Sequence, residues 1–210
     1  MKITEIRELS KKQVKVYIDE EFVFVLYKGE VRKYGIKSGE DLSEEYYHEI
    51  LKEVLVKRVK LRCLNLLKSR SYTEERLRSK LKEGYYSEEL IQIGIDYVKK
   101  YGYINDYEYV RQYIEYRAEK MSKNEMIAKL RNKGISKEMI QDVLETHANN
   151  DYNQHEKELI KQFLIKKKFC LQNTDIKSKN KLIAQLLRKG FLMDQIKTVI
   201  CHFDDENYIE

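Results

Sequence analysis

The chain has 210 residues, 42% hydrophobic and 36% charged, with no proline, 8 glycines and a net charge of +6. That balance gives modest cores under a large solvated surface, as in an array of small units, and argues against one strongly apolar globule. There is no run of about 18 apolar residues to span a membrane. The charged start Met1-Lys2-Ile3-Thr4-Glu5 has no apolar leader region, and the scattered Cys63, Cys170 and Cys201 form no C-x-x-C pair, so a cytoplasmic protein in a reducing compartment is expected.

Residues 3–34 read as strands. Val14, Val16 and Ile18 alternate with Lys15, Tyr17 and Asp19, the period of a half-buried strand. Asp19-Glu20-Glu21 breaks the pattern, and Phe22, Phe24 and Leu26 restart it, which predicts a hairpin with Ile3–Leu9 as a third strand. Ser43 is placed to cap a helix carrying Tyr46, Tyr47, Ile50, Leu51, Val54 and Leu55. From about residue 57 the pattern is helical throughout, with cap candidates at Thr73, Ser87, Asp106, Ser122 and Ser136. Ser122-Lys123-Asn124-Glu125 fits a capping box, in which hydroxyl and carboxylate each satisfy an orphan backbone N–H.

Internal repetition is the strongest signal. Leu77, Leu81, Tyr86, Ile91 and Ile95 share their spacing with Met126, Leu130, Ile135, Ile140 and Leu144, and with Leu182, Leu186, Phe191, Ile196 and Ile200. Steps of four keep apolar side chains on one helix face, and steps of five cross a turn marked by Gly84-Tyr85, Lys133-Gly134 and Lys189-Gly190. Tyr85 sits where the other two copies have Gly, so that turn is expected to differ in detail. A longer helix precedes each pair: about 57–69 with Val59, Cys63, Leu66 and Leu67 inward, 106–119 with Tyr109, Val110, Tyr113 and Ile114, and 154–169 with Leu159, Ile160, Phe163 and Leu164. The expected fold is mainly α: three tandem three-helix-bundle repeats in an elongated curved array, with a small N-terminal antiparallel β-rich extension. The boundaries are 1–56 for the extension, 57–104, 105–150 and 151–203 for the repeats, and 204–210 for an acidic tail.

No phosphate-cradling, dinucleotide, zinc-protease or nucleophile-elbow motif is present, so no catalytic residue, cofactor or metal site is expected. The histidines His48, His147, His155 and His202 are scattered; His147 and His155 flank Asn149-Asn150-Asp151, which reads as a linker between units. Asp204-Asp205-Glu206 reads as a frayed acidic terminus rather than a cation site.

Charge is uneven along the chain. Residues 1–56 carry 10 basic and 12 acidic side chains, residues 57–203 carry 31 and 19, and the tail adds Asp204, Asp205, Glu206 and Glu210. Basic residues recur on the middle helix of each repeat: Lys80 and Lys82 match Lys129 and Arg131, and Lys133 matches Lys189, beside Arg188. Lys166, Lys167 and Lys168 close the first helix of the third repeat, Lys177, Lys179 and Lys181 open its second, and Arg70, Arg76 and Arg78 flank the first turn of repeat one. Taken together they are candidates for contacting an anionic partner; taken singly, each is also explained as a solvated or dipole-complementing side chain. Most of the 17 tyrosines are expected to fill core and grooves rather than stack on bases.

The segment Leu66-Leu67-Lys68-Ser69-Arg70-Ser71-Tyr72-Thr73-Glu74-Glu75-Arg76-Leu77-Arg78-Ser79-Lys80-Leu81 resembles the LL-x-x-R and S/T-x-x-E-L-x-x-K-L pattern of the bacterial RecX family, with Arg76 where the family usually has Glu. Tyr101-Gly102-Tyr103-Ile104-Asn105-Asp106-Tyr107-Glu108-Tyr109-Val110 resembles its junction into the second repeat, Lys129-Leu130-Arg131-Asn132-Lys133-Gly134-Ile135 resembles its K-G-I turn, and Leu187-Arg188-Lys189-Gly190-Phe191 is the third-repeat counterpart. The likeness covers roughly 58–203, and 1–56 resembles the N-terminal extension of Gram-positive-type members. It implies a cytoplasmic, non-enzymatic regulator that binds RecA filaments on single-stranded DNA and blocks their growth, ATP turnover and strand exchange; some members also bind DNA directly, and a monomer is the default expectation for this chain. Two other readings stay open: a helical protein acting on DNA or RNA itself, and a helical adaptor for another protein.

Overall fold

In the computed structural model the described residues are 1–147, 152–170 and 174–203. The expected linker at Asn149-Asn150-Asp151, the side chain of His147 and the acidic tail lie outside them. The chain divides after Asn105 into two compact units.

The first unit opens with three antiparallel strands in the order β1 (Ile3–Glu8), β2 (Gln13–Ile18) and β3 (Glu21–Tyr27). Asp19 and Glu20 both have positive φ, 49° and 71°, and form a two-residue hairpin turn whose twist suits the flanking strands. Lys2 and Thr4 hold it: Asp19 N–H donates to the Lys2 carbonyl at 2.9 Å and Glu20 N–H to Thr4 Oγ1 at 3.0 Å. Val14, Val16 and Ile18 face the core as their alternation predicts. Phe22 does not. The β2–β3 register slips between Val16 and Tyr17, and this irregularity puts Phe22 out of phase with the buried Phe24 and Leu26; its ring is 40% exposed.

The expected strand character also ends early, because Lys28–Lys33 is a short helix, α1. Its first turn is held by the Glu30 carboxylate, which accepts from Tyr27 N–H at 2.7 Å and forms an ion pair with Arg58, far away in sequence. Ser43 caps α2 (Glu44–Glu49), accepting from Tyr46 N–H at 3.2 Å. The chain then runs without interruption through a π-helical stretch, Ile50–Leu55, into α3 (Val56–Ser69). Ile50 and Leu55, five apart, are both buried in the core that covers the sheet, which the i→i+5 winding makes possible. Val59 and Cys63 then turn to a second core built by the first repeat. Arg58 also donates to the Val25 carbonyl at 2.9 Å, and Leu90 joins the sheet's core, so the extension packs on repeat one.

Repeat one continues with α4 (Glu74–Lys82) and α5 (Glu88–Lys100). Gly94 of α5 allows close approach to α3: an added Cβ would lie 3.0 Å from both Cys63 Sγ and Val59 Cγ2. Burial there pushes the Cys63 thiol up to about 11. The second unit holds α6 (Asp106–Arg117), α7 (Lys123–Arg131), α8 (Lys137–His147), α9 (Tyr152–Lys166), α10 (Ile176–Arg188) and α11 (Met193–Cys201). Thirteen of the fifteen repeat-defining apolar residues are buried; Tyr86 and Leu182 are half-buried.

The three inter-helix turns share one backbone pattern. Tyr86 N–H bonds the Leu81 carbonyl, Ile135 N–H that of Leu130, and Phe191 N–H that of Leu186. The residue before each has positive φ: Tyr85 at 62°, Gly134 at 85° and Gly190 at 85°. The expected difference at the first turn is therefore absent from the backbone. Tyr85 itself adopts the left-handed conformation, at about 1–2 kcal/mol for an L-residue, while a Cβ added at Gly84 would lie 3.1 Å from the Tyr86 ring.

Thr73, Ser87, Ser122 and Ser136 accept from the backbone N–H three residues on, as N-caps do. Asp106 is instead the first helical residue of α6, one place inside the cap position. The capping box at Ser122 is only half formed: the Glu125 carboxylate pairs with Lys129 at 2.8 Å. Asp175, not anticipated, caps α10 by accepting from Ser178 N–H at 3.1 Å.

Candidate anion-binding surface

Within the second unit the third repeat is pinned to the second by polar contacts at the N-terminus of α7. Ser122, fully buried, accepts from Glu125 N–H at 3.1 Å and donates to the Lys189 carbonyl at 2.6 Å. Asn124 Nδ2 donates to the Gly190 carbonyl at 2.9 Å. Glu156 of α9, 6% exposed, accepts from Lys123 N–H at 2.8 Å and from Gln195 Nε2 at 2.7 Å. The α7 N-terminus, the positive end of its dipole, thus receives the Glu156 carboxylate on a backbone N–H, while its Ser122 and Asn124 side chains hold the carbonyls of the third repeat's turn. The backbone of Lys189, a predicted contact residue, is fixed by this junction while its side chain stays exposed.

The predicted basic residues fall into two groups. Of the eight in repeats one and two, four pair with carboxylates among the described residues. Arg78 pairs with Glu74 at 2.9 Å, Lys80 with Glu83 at 2.6 Å, Lys82 with Glu88, and Lys129 with Glu125 at 2.8 Å. Arg70 lies over the Tyr72 ring and donates to its hydroxyl at 2.8 Å; Arg131 and Arg76 are exposed; Lys133 lies 5.6 Å from the Tyr109 ring centroid. Such local pairs leave little net field. Glu74 shows the local balance: burial pushes its carboxyl up, but hydrogen bonds from Lys99 and Arg78 outweigh that and hold it below the ordinary range.

The third repeat is different. Lys166, Lys167, Lys168, Lys177, Lys179, Lys181, Arg188 and Lys189 have no carboxylate at ion-pair distance among the described residues. Residues 161–189 hold nine basic side chains and one acidic, Asp175, which is occupied as a cap. On α10 the residues 177, 181, 184 and 188 follow helical spacing, and all four are exposed, so Lys177, Lys181 and Arg188 share one face. Lysines in the first turn oppose the helix dipole, and the like-charged Lys177/Lys181 spacing adds repulsion of about 0.2–0.5 kcal/mol. In sequence these residues differ from the matched Arg78, Lys80 and Lys129 in having no acid three or four places away, except Lys179, whose neighbour Asp175 is taken up as the α10 cap.

Among the described residues no group of three His, Cys, Asp or Glu side chains is placed to hold a metal ion, and no helix is long and apolar enough to cross a membrane. The first unit carries a cleft of about 550 Å³ between sheet and first repeat, lined in part by Arg58, Arg62, Tyr27 and Tyr85, where sequence reading placed no site.

Comparison with known proteins fits this architecture. Residues 105–144 match a family model described as RecX, second three-helix domain, and residues 155–200 one described as RecX, third three-helix domain. A Clostridium acetobutylicum protein named Regulatory protein RecX is 30% identical over 98% of this chain and 97% of its own length. One of the same name from Caldanaerobacter subterraneus is 31% identical over 92% of this chain and 94% of its own. A crystal structure of a regulatory protein RecX shares the fold with a TM-score of 0.61 at 20% identity, covering 94% of this chain and 98% of the other. A RecX crystal structure from Lactobacillus salivarius gives 0.59 at 22%, covering 71% and 97%. Two matched repeat domains and end-to-end similarity to these relatives make the chain a member of the RecX family of regulatory proteins.

Proposed function

We propose that the protein restrains RecA recombinase in the cytoplasm, acting in DNA repair and the SOS response by binding along the RecA–single-stranded DNA filament as a monomer and blocking its growth, ATP turnover and strand exchange, without catalysis of its own. The observation that carries this is the carboxylate-free basic surface of the third repeat, Lys166 to Lys189. Lys177 and Lys179 are kept unpaired against the dipole at the start of α10, and Lys177 and Lys181 against each other, which an anionic partner that neutralises them on binding explains; Lys166 and Arg188, in the last turns of α9 and α10, complement their helix dipoles and add to the same positive field. Membership of a family of regulatory proteins supports a regulatory rather than chemical role. Arg70, Arg76, Arg78, Lys80, Lys82, Lys129, Arg131 and Lys133 join the proposed surface in a secondary role, since several already hold intramolecular carboxylates.

The test is RecA's single-strand-dependent ATPase. Addition of the full chain is expected to suppress turnover progressively, and a variant with Lys177, Lys181 and Arg188 replaced by Gln to require several-fold more protein. Unchanged turnover at stoichiometric protein overturns the reading. The same surface also favours a second reading, direct action on nucleic acid. That one predicts tight, strongly salt-dependent binding to single-stranded DNA without RecA.

A further inference from the structure

The cleft in the first unit differs in character from the basic surface of repeat three. Its walls are the sheet's β3 side and helix α3, and its rim is the α4–α5 turn at Gly84-Tyr85-Tyr86. Leu61 on the α3 wall is 59% exposed, and Tyr27 and Tyr85 are each 41% exposed. Phe22, displaced from the core by the register slip, meets Tyr85 edge-on at 6.3 Å. Much of the rest of the lining is polar, with Gln13, Arg58, Arg62, Asn65 and Glu83, so these exposed apolar and aromatic groups form an anchor point within a polar rim, the usual arrangement where a partner side chain buries.

Arg58 and Arg62 line it, and a third cation, Lys15, lies against its rim residue Tyr85. Arg58 is held by Glu30 and lies 4.8 Å from the Tyr27 ring centroid. Lys15 sits 3.9 Å from the Tyr85 centroid, and neither Lys15 nor Arg62 has a carboxylate at ion-pair distance among the described residues. The one acid on the lining, Glu83, is already paired with Lys80. Tyr85 is also the single repeat turn where a non-glycine residue occupies the left-handed conformation. Backbone strain retained at a concave, aromatic, cationic site is an observation from which function can be inferred.

We propose that this cleft is a docking site for an acidic peptide segment of a partner protein, which seats an apolar or aromatic side chain against Leu61, Tyr85 and Tyr86 and pairs its carboxylates with Arg62 and Lys15. Charge complementarity names the occupant. A single-stranded nucleic acid fits less well, because Arg58 and Lys15 already cover a face of Tyr27 and of Tyr85 and leave fewer open ring faces for stacked bases. The site is separate from the basic surface of repeat three in both residues and ligand, so it stands or falls apart from the filament reading.

Fluorescence anisotropy of the full chain with a labelled glutamate-rich Glu/Tyr copolymer tests it, beside labelled polyglutamate and a labelled oligothymidylate at physiological salt. The copolymer is expected to bind saturably, with affinity about tenfold or more above that of polyglutamate, and to lose about tenfold in each of Tyr85→Gly and Arg62→Glu. Tyr85→Gly places in this turn the residue the other two repeats use, so circular dichroism should show an intact fold. Binding unchanged in both variants overturns the proposal, as does polyglutamate binding as tightly as the copolymer. Oligothymidylate binding that is weakened by the same two variants would reassign the cleft to nucleic acid.

Discussion

Replacing Gly190 by Ala loads two penalties on one methyl group. The first is conformational: φ is +85°, where an L-side chain costs about 1–2 kcal/mol. The second is steric, since the new Cβ would lie 2.7 Å from Ser122 Oγ, 3.0 Å from Glu125 N and 3.1 Å from Asn124 Cβ. Two of these are backbone-anchored and cannot swing aside, so overpacking adds about 1–3 kcal/mol. Gly102→Ala isolates the first penalty, because φ is +69° there and nothing lies within 4 Å of the added Cβ. Urea unfolding of the full-length variants should therefore give a loss of about 1–2 kcal/mol for Gly102→Ala and about 3 kcal/mol for Gly190→Ala. With a slope of about 1–3 kcal/mol per molar urea the difference is readily measured. Equal losses would mean that the third repeat's turn does not press on the N-terminus of α7, and the account of how repeats two and three join would be wrong.

Tyr85→Gly should be more stable than Tyr85→Ala by about 1 kcal/mol, because both lose the ring and only Ala keeps the strain; equal unfolding midpoints would contradict the left-handed assignment. Lys177→Glu should raise stability by about 0.5–1 kcal/mol, through the helix dipole and a new i,i+4 pair with Lys181, while weakening the restraint of RecA; loss of stability would remove the argument that these charges are kept for a partner. Glu74→Gln tests a pH dependence. The folded-state pKa of Glu74 is depressed, so its contribution is present above the ordinary carboxylate value and fades as pH falls through that value to the depressed one. The variant should lose up to about 1 kcal/mol at neutral pH, the carboxylate being partly solvent-screened, and progressively less as pH falls below the ordinary carboxylate range; a loss independent of pH would point to packing instead.

The repeats were legible because spacing alone carries them. Steps of four and five around a turn fix which side chains meet, and residues such as Leu81, Leu130 and Leu186 are fully buried accordingly. What escaped depends on partners distant in sequence. Helix α1 exists through Glu30, which Arg58 holds across 28 residues. Ile50 and Leu55 look unremarkable by helical period, and the π-helical winding follows from one helix serving two cores. Phe22 left the core because of a register slip that no alternation pattern shows. Ser122 was readable as a cap, but not as the donor to the Lys189 carbonyl 67 residues on. Of the candidate surface, the pairs Lys129–Glu125 and Lys80–Glu83 follow from their spacing, whereas Lys99–Glu74 spans 25 residues and needs the fold.

Co-sedimentation with RecA assembled on single-stranded DNA, run beside the same DNA without RecA at physiological salt, addresses the central claim most directly. The account predicts that the protein pellets with the filament in saturable amounts, and that replacing Lys177, Lys181 and Arg188 by Gln leaves most of it in the supernatant. Equal pelleting of parent and variant, or no pelleting with the filament at all, would contradict it.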